Sequence, residues 1–112
     1  MNWLEPSSLE EALDVLRAND KVFLYKHSNR CGVSQFALKR LSAVTPVPGE
    51  TWVWIDVVNS RPLSLALAQE LGVRHESPQL ILVSKGNVLS HTSHSGVHEE
   101  TVEEWRTNHF SA

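Results

Sequence analysis

Lys21-Val22-Phe23-Leu24-Tyr25-Lys26-His27-Ser28-Asn29-Arg30-Cys31-Gly32-Val33-Ser34 is the stretch from which the rest of the chain is ordered. Lys21 to His27 holds a β-rich core, Val22 to Tyr25, that is apolar on both sides, which is the pattern of a buried central strand. Ser28-Asn29-Arg30 is polar. Apolar residues then return at Val33, Ala37, Leu41 and Val44, one face of a helix running from about Cys31 to Val44 and ended by Pro46, Pro48 and Gly49. Thr51 to Val58 is a second strand with few polar interruptions. Strand, helix and strand make a right-handed parallel crossover, with the only cysteine of the chain where the first strand gives way to the helix.

Working outward, Ser7-Ser8-Leu9-Glu10-Glu11 reads as a capped helix start, because a serine with glutamate three residues on satisfies free N–H groups at both ends of the box. Leu9, Ala12, Leu13 and Leu16 follow at helical spacing, and the helix stops near Asn19-Asp20. Downstream, a helix from Pro62 carries Leu63, Ala66, Leu67 and Leu71 and closes at Gly72. After a loop at Val73 to Ser77, Pro78 to Val83 and Asn87 to His91 flank Ser84-Lys85-Gly86 as an antiparallel hairpin. Glu99 to His109 is the closing helix, with Val102, Trp105 and His109 on one face and its acids in the half that favours them. A βαβ unit followed by ββα is the thioredoxin arrangement. The expected fold is therefore α/β and thioredoxin-like: a four-stranded mixed sheet flanked by helices, with an extra N-terminal helix, in one domain over residues 1–112. No repeat, linker or low-complexity tract divides it.

Composition narrows the function. The chain has 112 residues, 41% hydrophobic and 21% charged, so it should bury a core without disulfide or metal staples. A net charge of −3 argues against a hold on nucleic acid, which needs clustered lysine and arginine. No apolar run approaches the roughly 20 residues that cross a bilayer, and Met1 to Asn19 lacks the layout of a signal peptide. A lone cysteine points to a reducing compartment. The expectation is a cytoplasmic protein with neither nucleic-acid nor membrane partners.

At a helix start, free backbone N–H groups and the positive end of the dipole stabilise a thiolate, so Cys31 reads as reactive. Arg30, Lys26 and His27 add positive potential where they turn toward the sulfur. Ser34, three residues on, replaces a resolving thiol and offers a hydrogen bond to the thiolate. Such a site attacks a disulfide but needs an external thiol to reset. The competing reading is that Cys31 is a small buried hydrophobe. Ser77-Pro78 opens the third strand, where proline is tolerated as a first residue. Thioredoxin folds set a cis-proline loop beside the reactive cysteine, so Pro78 is expected to be cis, with Ser77 pairing with substrate backbone. His91, His94 and His98 fall close together, but their spacing is loose and solvated histidines are preferred to a metal site. Trp52, Trp54 and Trp105 read as core rather than a stacking platform, and Trp3 is expected to pack against the first helix.

Three segments resemble the monothiol bacilliredoxins, the YtxJ-like family. Lys26-His27-Ser28-Asn29-Arg30-Cys31-Gly32-Val33-Ser34 is similar to the family's Lys-His-Ser-x-x-Cys-x-x-Ser signature. Val73-Arg74-His75-Glu76-Ser77-Pro78-Gln79 resembles the segment leading into the third strand, and His91-Thr92-Ser93-His94 the His-x-Ser-His after the hairpin. The resemblance implies a monothiol thiol–disulfide oxidoreductase. In it, Cys31 takes a low-molecular-weight thiol, bacillithiol or an equivalent, from S-thiolated client proteins, with no tightly bound cofactor. Cys31 and Ser34 would then be catalytic, and Ser77, Pro78, Arg30, His27 and Lys26 would bind substrate. Better-known members have Cys-Pro-Ile-Ser where this chain has Cys31-Gly32-Val33-Ser34, so the helix start lacks a φ fixed in advance. The alternatives are a non-catalytic thioredoxin-fold binding module and a thiol peroxidase. For the latter, no Thr or Arg constellation around Cys31 is suited to polarising a peroxide.

Overall fold

Val22 to His27 is the middle strand of the sheet in the computed structural model, which describes residues 1–110; residues 111–112, the end of the expected 1–112 domain, lie outside the described residues. The elements are β1 (Trp3–Leu4), α1 (Leu9–Ala18), β2 (Val22–His27), α2 (Gly32–Leu41), β3 (Thr51–Asp56), α3 (Arg61–Leu71), β4 (Gln79–Ser84), β5 (Asn87–Ser93) and α4 (Glu99–Phe110). A 3-10 turn at His94–Gly96 joins the last two. The sheet order is β1-β3-β2-β4-β5, with β2 parallel to β3 and antiparallel to β4.

All six residues of β2 are buried, as a strand covered by helices on both faces must be. Its period of two deals them to two cores. Phe23 and Tyr25 join Trp52, Leu80, Leu82, Ala37, Leu41, Val102 and Trp105 beneath α2 and α4. Val22 and Leu24 join Val53, Ile55, Ile81, Val83, Ala12, Leu16 and Leu67 beneath α1 and α3. The first core is aromatic: Phe23 and Trp52 stack at 4.3 Å between centroids, 7° from parallel.

Local chemistry sets the ends of the elements. The Ser8 hydroxyl accepts from the Glu11 N–H at 3.1 Å and starts α1 as the capping pattern predicts. Gly72, with φ of 67°, closes α3 in the left-handed conformation that glycine takes without strain. The hairpin turns through Lys85 and Gly86, both at positive φ, which matches the right-handed twist of the flanking strands.

The sheet has five strands, not the expected four. Trp3–Leu4 pairs in parallel with Trp52 and Val53, too short a strand to show a period in sequence. Trp3 accordingly does not pack on α1. Its ring lies 5.7 Å from Tyr25, 5.8 Å from Trp52 and 5.3 Å from Trp54, on the opposite side of the sheet. The second helix is shorter than the expected 31–44: it ends at Leu41, where the chain tightens through a bond from the Val44 N–H to the Leu41 carbonyl. β3 ends at Asp56 rather than Val58 because the Asp56 carboxylate accepts from the Val58 and Asn59 N–H groups, both at 2.9 Å, and turns the chain. β5 runs on past His91 to Ser93. Among the described residues no helix is long and apolar enough to cross a membrane.

Candidate active site

Cys31 is the N-cap of α2, in extended backbone with φ of −118° and ψ of 120°. Its carbonyl accepts from the Gln35 N–H at 3.2 Å, opening the helix, and its own N–H reaches back to the Ser28 carbonyl at 3.2 Å. The preceding loop is laced together: the Ser34 hydroxyl oxygen accepts from the Ser28 N–H at 3.3 Å, and the Ser28 hydroxyl from the Arg30 N–H at 3.4 Å. This fixes a half-buried sulfur at the mouth of the helix. The side chain makes no cap hydrogen bond of normal geometry here. Even so, the Ser34 N–H, working against burial and assisted by the Val33 N–H and the Ser34 hydroxyl, holds the thiol below its ordinary pKa. The negative form is the one those donors favour.

Beneath Ser34 lies a buried polar chain. The Tyr25 hydroxyl donates to the Ser34 carbonyl at 3.2 Å and stands 2.8 Å from Nδ1 of His27. A phenol has one hydrogen, so while Tyr25 donates to Ser34, His27 donates to Tyr25 from Nδ1. Burial pushes the Tyr25 hydroxyl up, with Arg40 opposing and Cys31 adding to the rise. Burial holds His27 below the ordinary imidazole value against the pull of Asp56, its partner across the β2–β3 ladder. Trp54 covers the imidazole at 4.7 Å.

The three cations expected near the sulfur are dispersed. Lys26 is on the other face of β2, fully buried, with Nζ donating to the Ser64 carbonyl at 2.9 Å and 3.4 Å from Nδ1 of His75. Burial lowers its pKa to about 8. Arg30 is exposed on the loop, and His27 points down into the core. None of the three is among the groups that lower the Cys31 thiol, which is held by the α2 mouth instead. Alternation along a strand carries the signal: Lys26 and His27 are neighbours, so they leave β2 on opposite faces.

Ser77-Pro78 has a cis peptide bond. Gln79, the first residue of β4, pairs with Lys26, which sets the Pro78 loop beside the end of β2 that leads to Cys31. Sequence reasoning read Tyr25 only as core and passed over Asp56, Ser64 and His75. His94 contacts the Ser93 hydroxyl and shares the neighbourhood of Glu76 with His91, whereas His98 contacts Thr101. Among the described residues no three His, Cys, Asp or Glu side chains form a group that could hold a metal ion. An open cavity of about 500 Å³, lined by Arg40, Ala43, His98, Glu99 and Glu100, is at the far end of α2 from the sulfur. The half-buried thiol does not line it.

Comparison with known proteins agrees with this geometry. The family model described as monothiol bacilliredoxin BrxC matches residues 5–102. A solved structure described as a candidate oxidoreductase with a thioredoxin fold is similar at a TM-score of 0.81 and 25% identity, over 90% of each chain. A mutant thioredoxin from Halobacterium salinarum is similar at 0.69 and 23% identity, over 97% of this chain and 91% of that one. A Malassezia sympodialis thioredoxin is similar at 0.75 and 16% identity, over 98% and 92%.

Proposed function

The chain belongs to the monothiol bacilliredoxin family, thioredoxin-fold thiol–disulfide oxidoreductases, and from that premise we propose that Cys31 removes a low-molecular-weight thiol of the bacillithiol type from S-thiolated client proteins. The Cys31 thiolate attacks the small-thiol sulfur of the mixed disulfide. A Cys31–small-thiol disulfide forms, and the client sulfur leaves as a thiolate that takes up a proton. A second small thiol, as its thiolate, then attacks the adduct, leaving a symmetrical small-molecule disulfide and the Cys31 thiolate. No tightly bound cofactor enters, and the small thiol is a co-substrate supplied by a reducing cytoplasm.

One observation carries this reading: a half-buried sulfur at the mouth of α2, with its thiolate favoured by Ser34 and Val33, in a chain with no second cysteine to close a ring. Ser34 serves as the thiolate's donor through both its N–H and its hydroxyl. Ser77-Pro78 offers the client backbone an edge, Arg30 faces the incoming substrate from the loop, and His27 supports the site from below through Tyr25. Lys26, on the other face, does not touch substrate in this scheme.

The test is transfer of mass. Incubated with a protein carrying one small-thiol mixed disulfide, the wild type should gain the small thiol on Cys31 and lose it when excess small thiol is added, while Cys31→Ser gains nothing. An adduct that never forms on the wild type, or forms and is never released, would sink the proposal.

A further inference from the structure

Lys26 is the one fully buried cation of the described residues, and its ammonium meets two separate segments. Nζ donates to the Ser64 carbonyl of α3 and approaches Nδ1 of His75, whose ring nitrogen also lies 3.4 Å from the Ser64 hydroxyl. Directly opposed residues of an antiparallel pair share a face, so Gln79, the ladder partner of Lys26, stands beside it. Gln79 Nε2 donates to the Arg74 carbonyl at 2.8 Å, while its Oε1 is buried without a partner. An ammonium carries three hydrogens. Two are directed at Ser64 and His75; Gln79 meets Lys26 through the backbone ladder, not through its amide oxygen.

The contacts bracket one loop. Arg74 and His75 precede Ser77-Pro78 and Gln79 follows it: the Lys26 ammonium holds the segment at His75, while the β2–β4 ladder and the Gln79–Arg74 bond hold its other end. A methionine would fill the volume of Lys26 without the cost of burying a charge; what the ammonium adds is direction. We propose that Lys26 is a positioning residue for client docking, tying the strand that delivers Cys31 to the loop that carries Ser77-Pro78 and holding sulfur and docking edge at one spacing. This rests on the proposed function, since it concerns how a protein-borne disulfide meets Cys31.

The experiment compares wild type, Lys26→Met and His75→Ala. KM should rise by about tenfold for an S-thiolated protein, the scale of a small misplacement at a reacting centre, with a much smaller change in kcat. The reaction with a small symmetrical disulfide, which needs no docking edge, and the midpoint of Cys31 alkylation against pH should stay at wild-type values. Amide hydrogen exchange should speed up at Arg74 to Ser77 and not along α2. Equal losses on protein and small disulfide, or unchanged exchange at Arg74 to Ser77 in both variants, would overturn the inference. Should Lys26→Met fail to fold, His75→Ala decides alone. Should wild type fail to turn over any protein disulfide, the proposed function falls, and the exchange measurement by itself decides the role of Lys26.

Discussion

The two faces of β2 end differently. Toward α2 and α4 run Phe23, Tyr25 and His27, an aromatic face whose last polar atoms reach the Ser34 carbonyl and so the helix that holds the sulfur. Toward α1 and α3 run Val22, Leu24 and Lys26, an aliphatic face whose ammonium reaches α3 and the loop before Pro78. Each core closes under one half of the candidate site, the thiol on one side and the docking edge on the other. A strand can serve two sites within two consecutive residues because its side chains alternate; a helix, whose adjacent residues are 100° apart, cannot separate them so cleanly.

Alkali should break the symmetry most visibly. Lys26 has a folded pKa of about 8, below the roughly 10.4 of an unfolded lysine, so the unfolded chain binds more protons between those values. Its burial therefore costs stability below pH 8, and stability is regained as pH climbs toward the unfolded value. The contribution is on the order of 3 kcal/mol and should vanish in Lys26→Met when urea unfolding is followed against pH. Tyr25 has the opposite sign: its raised pKa leaves the folded state holding the extra proton above about pH 10, so that face loses stability there. Parallel pH profiles for wild type and Lys26→Met would mean that the faces do not differ as described.

Tyr25→Phe comes next. It strands the Ser34 carbonyl and the His27 ring nitrogen in the core, at about 1–3 kcal/mol, readable as a lower urea midpoint with an unchanged slope. Ser34→Ala removes one donor from the thiolate while leaving the aliphatic face alone. The Cys31 thiol should titrate higher, and alkylation near neutral pH should slow by roughly fivefold, the worth of one hydrogen bond of about 1 kcal/mol. The smallest effect is a gain. A Cβ at Gly32 meets nothing within 4 Å, and Cys31 already has the extended backbone that precedes proline comfortably. Gly32→Pro should therefore raise stability by about 0.4–1 kcal/mol, measured by thermal unfolding, without altering either face of β2.

Much of this could be read from sequence because it rests on strong periodic signals. A strand apolar on both sides had to be central, Lys85-Gly86 had to turn, and a cysteine between a polar loop and a helical stripe had to sit at a helix mouth. β1 was hidden because two residues carry no period, and the face chosen by Trp3 was hidden with it. At the site, the residue types near the sulfur were legible but their directions were not. Sequence offers both Lys26 and His27 as cations for the thiol wherever they turn toward it, and adjacent strand residues cannot both do so. Ser64 and His75 lie 38 and 49 positions from Lys26 and meet it only through tertiary packing.

The short strand Trp3–Leu4 bears on how the molecule behaves in a crowd of its own copies. β5, at one margin of the sheet, alternates exposed and half-buried residues and carries a register irregularity opposite Leu82 and Val83, features that discourage a second chain from lining up. At the other margin β1 covers β3, which is apolar at Trp52 and Val53 and whose ladder would be bare there without it. Two residues thus serve as a guard against edge-to-edge aggregation. Damage to residues 3–4 should show first as precipitation rather than as lost thiol exchange.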